Sequence, residues 1–304
     1  MANNSRMGNR EELIGAVFAL LAAVGFSAKA ILVKLAYLDH VDAVTLLALR
    51  MAFSAPFFIG VAIWSRLKHA EPLSRHDKAL VLGLGLVGYY LSSFLDFLGL
   101  QYLSAGLERL ILFLYPTMTV ILSALVYRRA IGAKTVAAMA LSYAGIVLVF
   151  LHDAGAREPG GIGLGASLVF ASTLSYSIYL VGAGHAVRRI GTARFTAYAM
   201  VVASTASLLQ FGSTHPSSSL ELPVRVYELA LAMALFSTVL PVFLLSHAIR
   251  RIGSGNASLI GSIGPVSTIY MAYLFLGEGM SLLQIMGSLL VLAGVLAVSA
   301  ARNS

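Results

Sequence analysis

The chain has 304 residues, 59% of them hydrophobic and only 11% charged, with a formal net charge of +8 and no cysteine. An ordinary soluble domain carries about 25% charged residues, so a water-facing surface is excluded and the composition is that of an integral membrane protein. The missing cysteines exclude disulfides, thiol catalysis and cysteine metal sites. The basic residues gather in short loops, so they read as topology signals and not as a nucleic-acid footprint.

Ten apolar segments follow in chain order, at roughly 13–36, 43–64, 79–99, 105–126, 133–151, 162–185, 193–213, 226–248, 255–276 and 282–300. About 20 apolar residues at 1.5 Å each cross a hydrocarbon core of roughly 30 Å. The first run is long and many others follow it, so it reads as a span and not as a cleaved signal. The polar stretch HDAGAREPGG at 152–161 reads as a linker. It separates a first unit over 1–151 from a second over 162–304.

Fifteen of the 21 Lys and Arg residues lie at the two ends and in the even-numbered connections, whereas the odd-numbered connections hold only Arg157 and Arg225. That asymmetry predicts both termini in the cytoplasm. Lys29, Lys34, Arg50 and Arg109 fall within spans or at their edges. Trp64 and Tyr127 fit inner interfacial anchors and Tyr37 an outer one.

Adding 149 to any position from Leu103 to Phe150 lands on a counterpart between Ile252 and Ser299 without a gap. Gly106 meets Gly255, Pro116 meets Pro265 and Gly145 meets Gly294. Five spans per unit is an odd number, so the second unit enters the membrane in the opposite sense. The fold expected is an all-α membrane protein of ten transmembrane helices, built as two inverted-topology five-helix repeats around a central cavity. Two such halves can exchange inward-open and outward-open shapes, which predicts a transporter working by alternating access. Helices interrupted at matching places, here at Pro116 and Pro265, serve as hinges and mark a midplane site.

Charges within spans normally face a cavity or a partner. Lys29, Arg50 and Asp96 form a candidate charged vestibule or coupling group, whose surplus cation could meet a substrate carboxylate. The competing reading is a structural ion-pair network in which Asp96 or Glu108 satisfies Arg50. Glu108 and Arg109, near a helix end, fit the structural reading, and Lys34 that of a side chain snorkelling to the interface.

The candidate substrate-binding residues are polar and aromatic side chains deep in the spans: Tyr89, Tyr90 and Ser93, Tyr115 beside Pro116, and Ser172, Ser175, Tyr176 and Tyr179. The last four follow i, i+3, i+4, i+7 spacing and share one helix face. Ser258 and Ser262 also share a face, with Tyr270 further along. Hydroxyls of this kind equally let helices pack closely. Ser237 and Thr238, ahead of Pro241, read as caps of a kink. Such a lining suits a neutral amphipathic solute, for example an amino acid with an apolar or aromatic side chain. The expected partners are a small-molecule substrate and the lipid bilayer, with no nucleic acid. No catalytic set, cofactor motif or metal-ligand spacing appears, so neither an enzyme nor a cofactor is expected. An intramembrane enzyme acting on lipid would have to use Asp96 and Glu108.

The second half carries Arg250, Gly253, Ala257, Pro265, Leu276, Gly277, Glu278, Gln284, Gly287 and Gly294 at a spacing that resembles EamA-type exporters of the drug/metabolite transporter superfamily. The first half resembles the same family more loosely, through Arg50, Pro116, Leu141 and Gly145. Arg128 and Arg129 stand where the first repeat of that family often has a Gly-Glu pair. The resemblance implies ten helices in two inverted bundles and export of amino acids, aromatic ones among them, across a bacterial cytoplasmic membrane. Multidrug or other metabolite efflux shares the same fold. Lys29 occupies the span in which small multidrug relatives use a glutamate, which counts against cation efflux by that mechanism.

Overall fold

The computed structural model describes residues 2–68, 72–128, 130–156, 161–279 and 281–303, with side chains for these except 2–10, 154–156, 185, 254, 255, 258, 259 and 299–303. The side chain of Ser258 and residues 157–160 of the expected linker therefore lie outside the described residues, and the start of that linker, 152–156, is helical instead. Among those described, every regular element is helical.

The first half holds α1 (Ala2–Tyr37), α2 (Ala43–Lys68), α3 (Arg75–Gly85), α4 (Ser92–Leu100), α5 (Ala105–Leu112), α6 (Tyr115–Tyr127) and α7 (Ala133–Ala156). The second holds α8 (Ile162–Ile190), α9 (Thr192–Thr214), α10 (Val224–Ala234), α11 (Leu240–Gly261), α12 (Gly264–Leu276) and α13 (Leu282–Asn303). A π-helical turn, Leu86–Leu91, joins α3 to α4, and a second, Leu235–Val239, joins α10 to α11. Among the described residues, eight stretches are long and apolar enough to cross a membrane, and Gly264–Leu276 and Leu282–Val298 are shorter apolar helices. Phe236, Leu125 and Phe275 are among many large apolar side chains more than half exposed, which suits lipid contact and not water. The molecule is a multi-pass membrane protein.

Local chemistry sets the helix ends. Ser74 and Ser104 accept from the backbone N–H three residues on and cap α3 and α5. Pro116 and Pro265 sit in the first turns of α6 and α12, where a missing N–H costs nothing. The fourth and ninth apolar runs are thus each divided, between Leu112 and Tyr115 and between Gly261 and Gly264. Before the second break, α11 turns sharply at Gly253, with φ 79 and ψ 162.

The duplication is visible in the backbone itself. A shift of 149 residues carries Ala43 onto Thr192, Arg75 onto Val224, Leu86 onto Leu235, Tyr115 onto Gly264 and Ala133 onto Leu282, each the start of an element in both halves. The same shift pairs two left-handed helix ends, Arg128 at φ 51 and Gly277 at φ 65. In the second π turn the Thr238 hydroxyl donates to the Met233 carbonyl at 3.2 Å, five residues back, so it does support the kink.

The most extensive helix contacts pair α1 with α11, α7 with α13, α2 with α9 and α4 with α8. Exchanging the halves leaves this pattern unchanged. The α7–α13 seam is close: a Cβ on Gly145 would lie 2.5 Å from the Gly287 carbonyl oxygen, and one on Gly294 would lie 2.5 Å from that of Ala138. Residue numbers rise along one helix as they fall along the other, so these two corresponding helices pack antiparallel. The same order holds for α4 and α8, where Ser175 donates to the Val87 carbonyl and Ser172 to that of Ser92, each at 2.7 Å.

Candidate functional site

The two helix breaks bring α5 and α12 against α1, with α8 behind α5 and α6. Ser27 of α1 donates to the Gly264 carbonyl at 2.9 Å, and Thr268 is within 3.4 Å of the Ser27 carbonyl. Arg109, one turn before the first break, lies against the start of α12: a Cβ on Gly264 would fall 2.6 Å from its Nη2. Glycine at 264 makes room for that guanidinium.

Five charges gather on this side of α1. The Lys29 ammonium is 2.5 Å from Asp96 Oδ2 and 3.2 Å from Glu108 Oε1. Glu108 is fully buried and Asp96 is 3% exposed, so the lysine holds two carboxylates that water cannot reach. Arg50, only 5% exposed, donates from Nη2 to Ser93 Oγ at 3.0 Å and sits 4.9 Å from the centre of the Phe97 ring. Asp96 is near enough to act on Arg50 electrostatically, but the direct ion-pair partner of both Asp96 and Glu108 is Lys29. Glu108 joins this cluster through its ion pair with Lys29, as the structural reading expected, and Arg109 lies beside it. The signal for them was their place just ahead of the Pro116 break.

The tyrosines form a second group beside it. Tyr115 and Tyr176 meet edge to face at 5.6 Å, Tyr176 stacks on Tyr179 at 5.6 Å, and the Tyr89 and Tyr179 hydroxyls are 3.0 Å apart. Tyr90 points elsewhere and stacks on Phe94 at 6.3 Å. The Ser172 and Ser175 hydroxyls are engaged in the α4–α8 seam described above. Ser262 is half-buried. Tyr270 is 57% exposed on the outside of the bundle and does not join the group.

Lys34 does not snorkel. Its ammonium donates to the Leu100 and Leu103 carbonyls at 3.2 and 2.9 Å and caps the end of α4. Tyr37 turns inward and donates to the Phe97 carbonyl at 2.7 Å, so it is no interfacial anchor.

A polar network ties the two halves together near the starts of α5 and α13. Glu278 Oε1 accepts the Ala105 N–H at 3.0 Å, and Asp153 accepts from Ser104 Oγ at 2.6 Å and from Gln284 Nε2 at 3.0 Å. Glu278, Gly279 and Gln284 line a cavity of about 10 Å³ there, room for about one water. A larger cavity of about 380 Å³, at the far end of α1, is lined by Glu11, His247, Arg250 and Arg251.

An all-helical membrane protein with a duplicated unit and buried charges at matched helix breaks belongs to the transporter class. The sequence model of the EamA-like transporter family matches residues 13–151 and again 163–300, and the chain belongs to that family. It is 31% identical over 283 residues to YcbK of Bacillus subtilis (strain 168), named an uncharacterized transporter, covering 91% of this chain and 90% of that one. It is also 26% identical to a protein of Chlamydia trachomatis serovar L2 named an S-adenosylmethionine/S-adenosylhomocysteine transporter, over 75% of this chain and 72% of the other. A solved crystal structure aligns over 95% of this chain and 99% of its own with a TM-score of 0.62 at 16% identity, which shows a shared fold.

Proposed function

We propose that the chain is a secondary carrier that exports small metabolites across the bacterial cytoplasmic membrane by alternating access, neutral and aromatic amino acids foremost. Its ten spans form two repeats, 1–151 and 162–304, inserted in opposite senses with both termini in the cytoplasm. The constant shift between helix starts and the antiparallel packing of α7 on α13 support this topology. Two halves related in that way can interchange their shapes about a shared centre.

The observation that carries the proposal is the crossing of two equivalent helix breaks at Ser27, Arg109 and Gly264, amid charges and tyrosines. Side chains of this kind suit a solute with a polar head and an apolar or aromatic body. A sulfonium nucleoside such as S-adenosylmethionine also ends in an amino-acid head, so the relative's name gives a second substrate to try. Counterflow from proteoliposomes against a panel of amino acids and S-adenosylmethionine tests the proposal. Saturable exchange is expected; unsaturable ion current in the same vesicles would identify a channel instead.

A further inference from the structure

The charges of the buried cluster do not balance. The partly buried Lys29 and Arg109 and the buried Arg50 are three cations set against two buried carboxylates, Asp96 and Glu108. Lys29 is shared by both carboxylates, and Arg50 is held by Ser93 and the Phe97 ring. Arg109 has no hydrogen bond or ion pair among the described residues, and its Nε is buried without a partner. Glu108 and Asp96 are near enough to act on it electrostatically but neither contacts it, so the hydrogen-bonding capacity of its guanidinium is unused; charged side chains placed this way within a membrane normally face a partner or a substrate path.

Two features beside it favour an anion. Its Nη2 lies at the first residue of α12, a 13-residue helix whose opening turn leaves backbone N–H groups without helical acceptors. The planar guanidinium itself matches a carboxylate with two parallel hydrogen bonds. Arg109 is also near enough to Tyr115 and Tyr176 to interact with them electrostatically, which puts an aromatic surface beside the charge.

We infer that Arg109 holds the carboxylate of the transported solute at the start of α12, and that the carrier therefore selects carboxylate-bearing substrates. The inference rests on the carrier reading above, and it names the group that the site recognises.

The test compares each amino acid that the wild-type protein exchanges with its carboxamide, starting with L-phenylalanine and L-phenylalaninamide, and with 3-phenylpropionate, which keeps the carboxylate and lacks the amine. With the full-length protein in proteoliposomes, phenylalanine and 3-phenylpropionate should compete for exchange and the amide should not. Loss of a hydrogen bond to a charged group corresponds to a change of about 10- to 150-fold. R109Q should show a rise in KM of that order for carboxylates and lose the preference for acid over amide. R109K should retain the preference at weaker affinity. Wild-type exchange of acid and amide with equal KM overturns the inference without any variant, and so does an R109Q protein that exchanges normally and still discriminates. Absence of saturable exchange for every amino acid and for S-adenosylmethionine overturns the carrier reading itself, and the inference with it.

Discussion

Replacing Glu278 by alanine removes the acceptor of the Ala105 N–H, which Glu278 Oε1 holds at 3.0 Å while Ala105 is fully buried. In the proposed topology this contact closes the outer ends of the two halves. Leaving a buried N–H unsatisfied costs about 1–3 kcal/mol. Once the outer ends part, water reaches that N–H in either protein, so the cost falls on the closed form alone. The open-to-closed ratio should rise roughly 5- to 150-fold. Glu278→Gln keeps an oxygen but loses the charge, and its effect should be smaller. The chain contains no cysteine, so a single Gly106→Cys suffices as a reporter. A Cβ there is 3.4 Å from Ile269, an ordinary contact, and Gly106 lines the small cavity beside Glu278. A membrane-impermeant maleimide applied from outside should label that cysteine faster in the Glu278→Ala background by the stated factor. Equal labelling rates at equal thermal stability would refute the latch. The first half has Arg129 at the position equivalent to Glu278, so the inner side lacks this acceptor and the bias should be one-sided.

Three further outcomes can be measured on the purified protein. Asp42 accepts the Val44 and Thr45 N–H groups at 2.8 and 3.0 Å and caps α2. Its partial burial pushes the carboxyl up, but the Thr45 hydrogen bonds and His215 outweigh that and hold it below the ordinary 3.8. A depressed folded pKa stabilises fully above the ordinary value and less as pH falls through the lower one. Asp42→Ala should therefore cost about 1 kcal/mol at neutral pH, and thermal melts should show that gap from the wild type narrowing below about pH 4. Arg128 adopts φ 51 where its counterpart is Gly277, and Arg128→Gly should raise the melting temperature by the equivalent of about 1 kcal/mol; an unchanged or lower value would contradict the strain argument. Gly145→Ala would drive a Cβ to 2.5 Å from the Gly287 backbone oxygen. It should destabilise by about 1–3 kcal/mol, and a melt equal to wild type would mean that α7 and α13 are not in this contact.

Much of the architecture was legible because membrane insertion imposes strong local rules. Apolar runs long enough to cross, prolines at equivalent places in the two halves, and a duplication without gaps are properties that can be read from the chain directly. Pro116 and Pro265 marked the breaks correctly for that reason. Ser172 and Ser175 were harder to read: the face they share was clear, but a hydroxyl looks the same whether it meets solute or the Val87 carbonyl.

The sequence by itself determined that this is a helical membrane protein made of two similar halves, because hydrophobicity and repetition need no partner to express themselves. Only the tertiary structure decided which charges meet. Lys29 reaches Asp96 across 67 residues and Glu278 reaches Ala105 across 173. Those pairings follow from which helix faces pack together in a medium where a buried charge must find compensation, and that is a property of the assembled bundle and of no single helix.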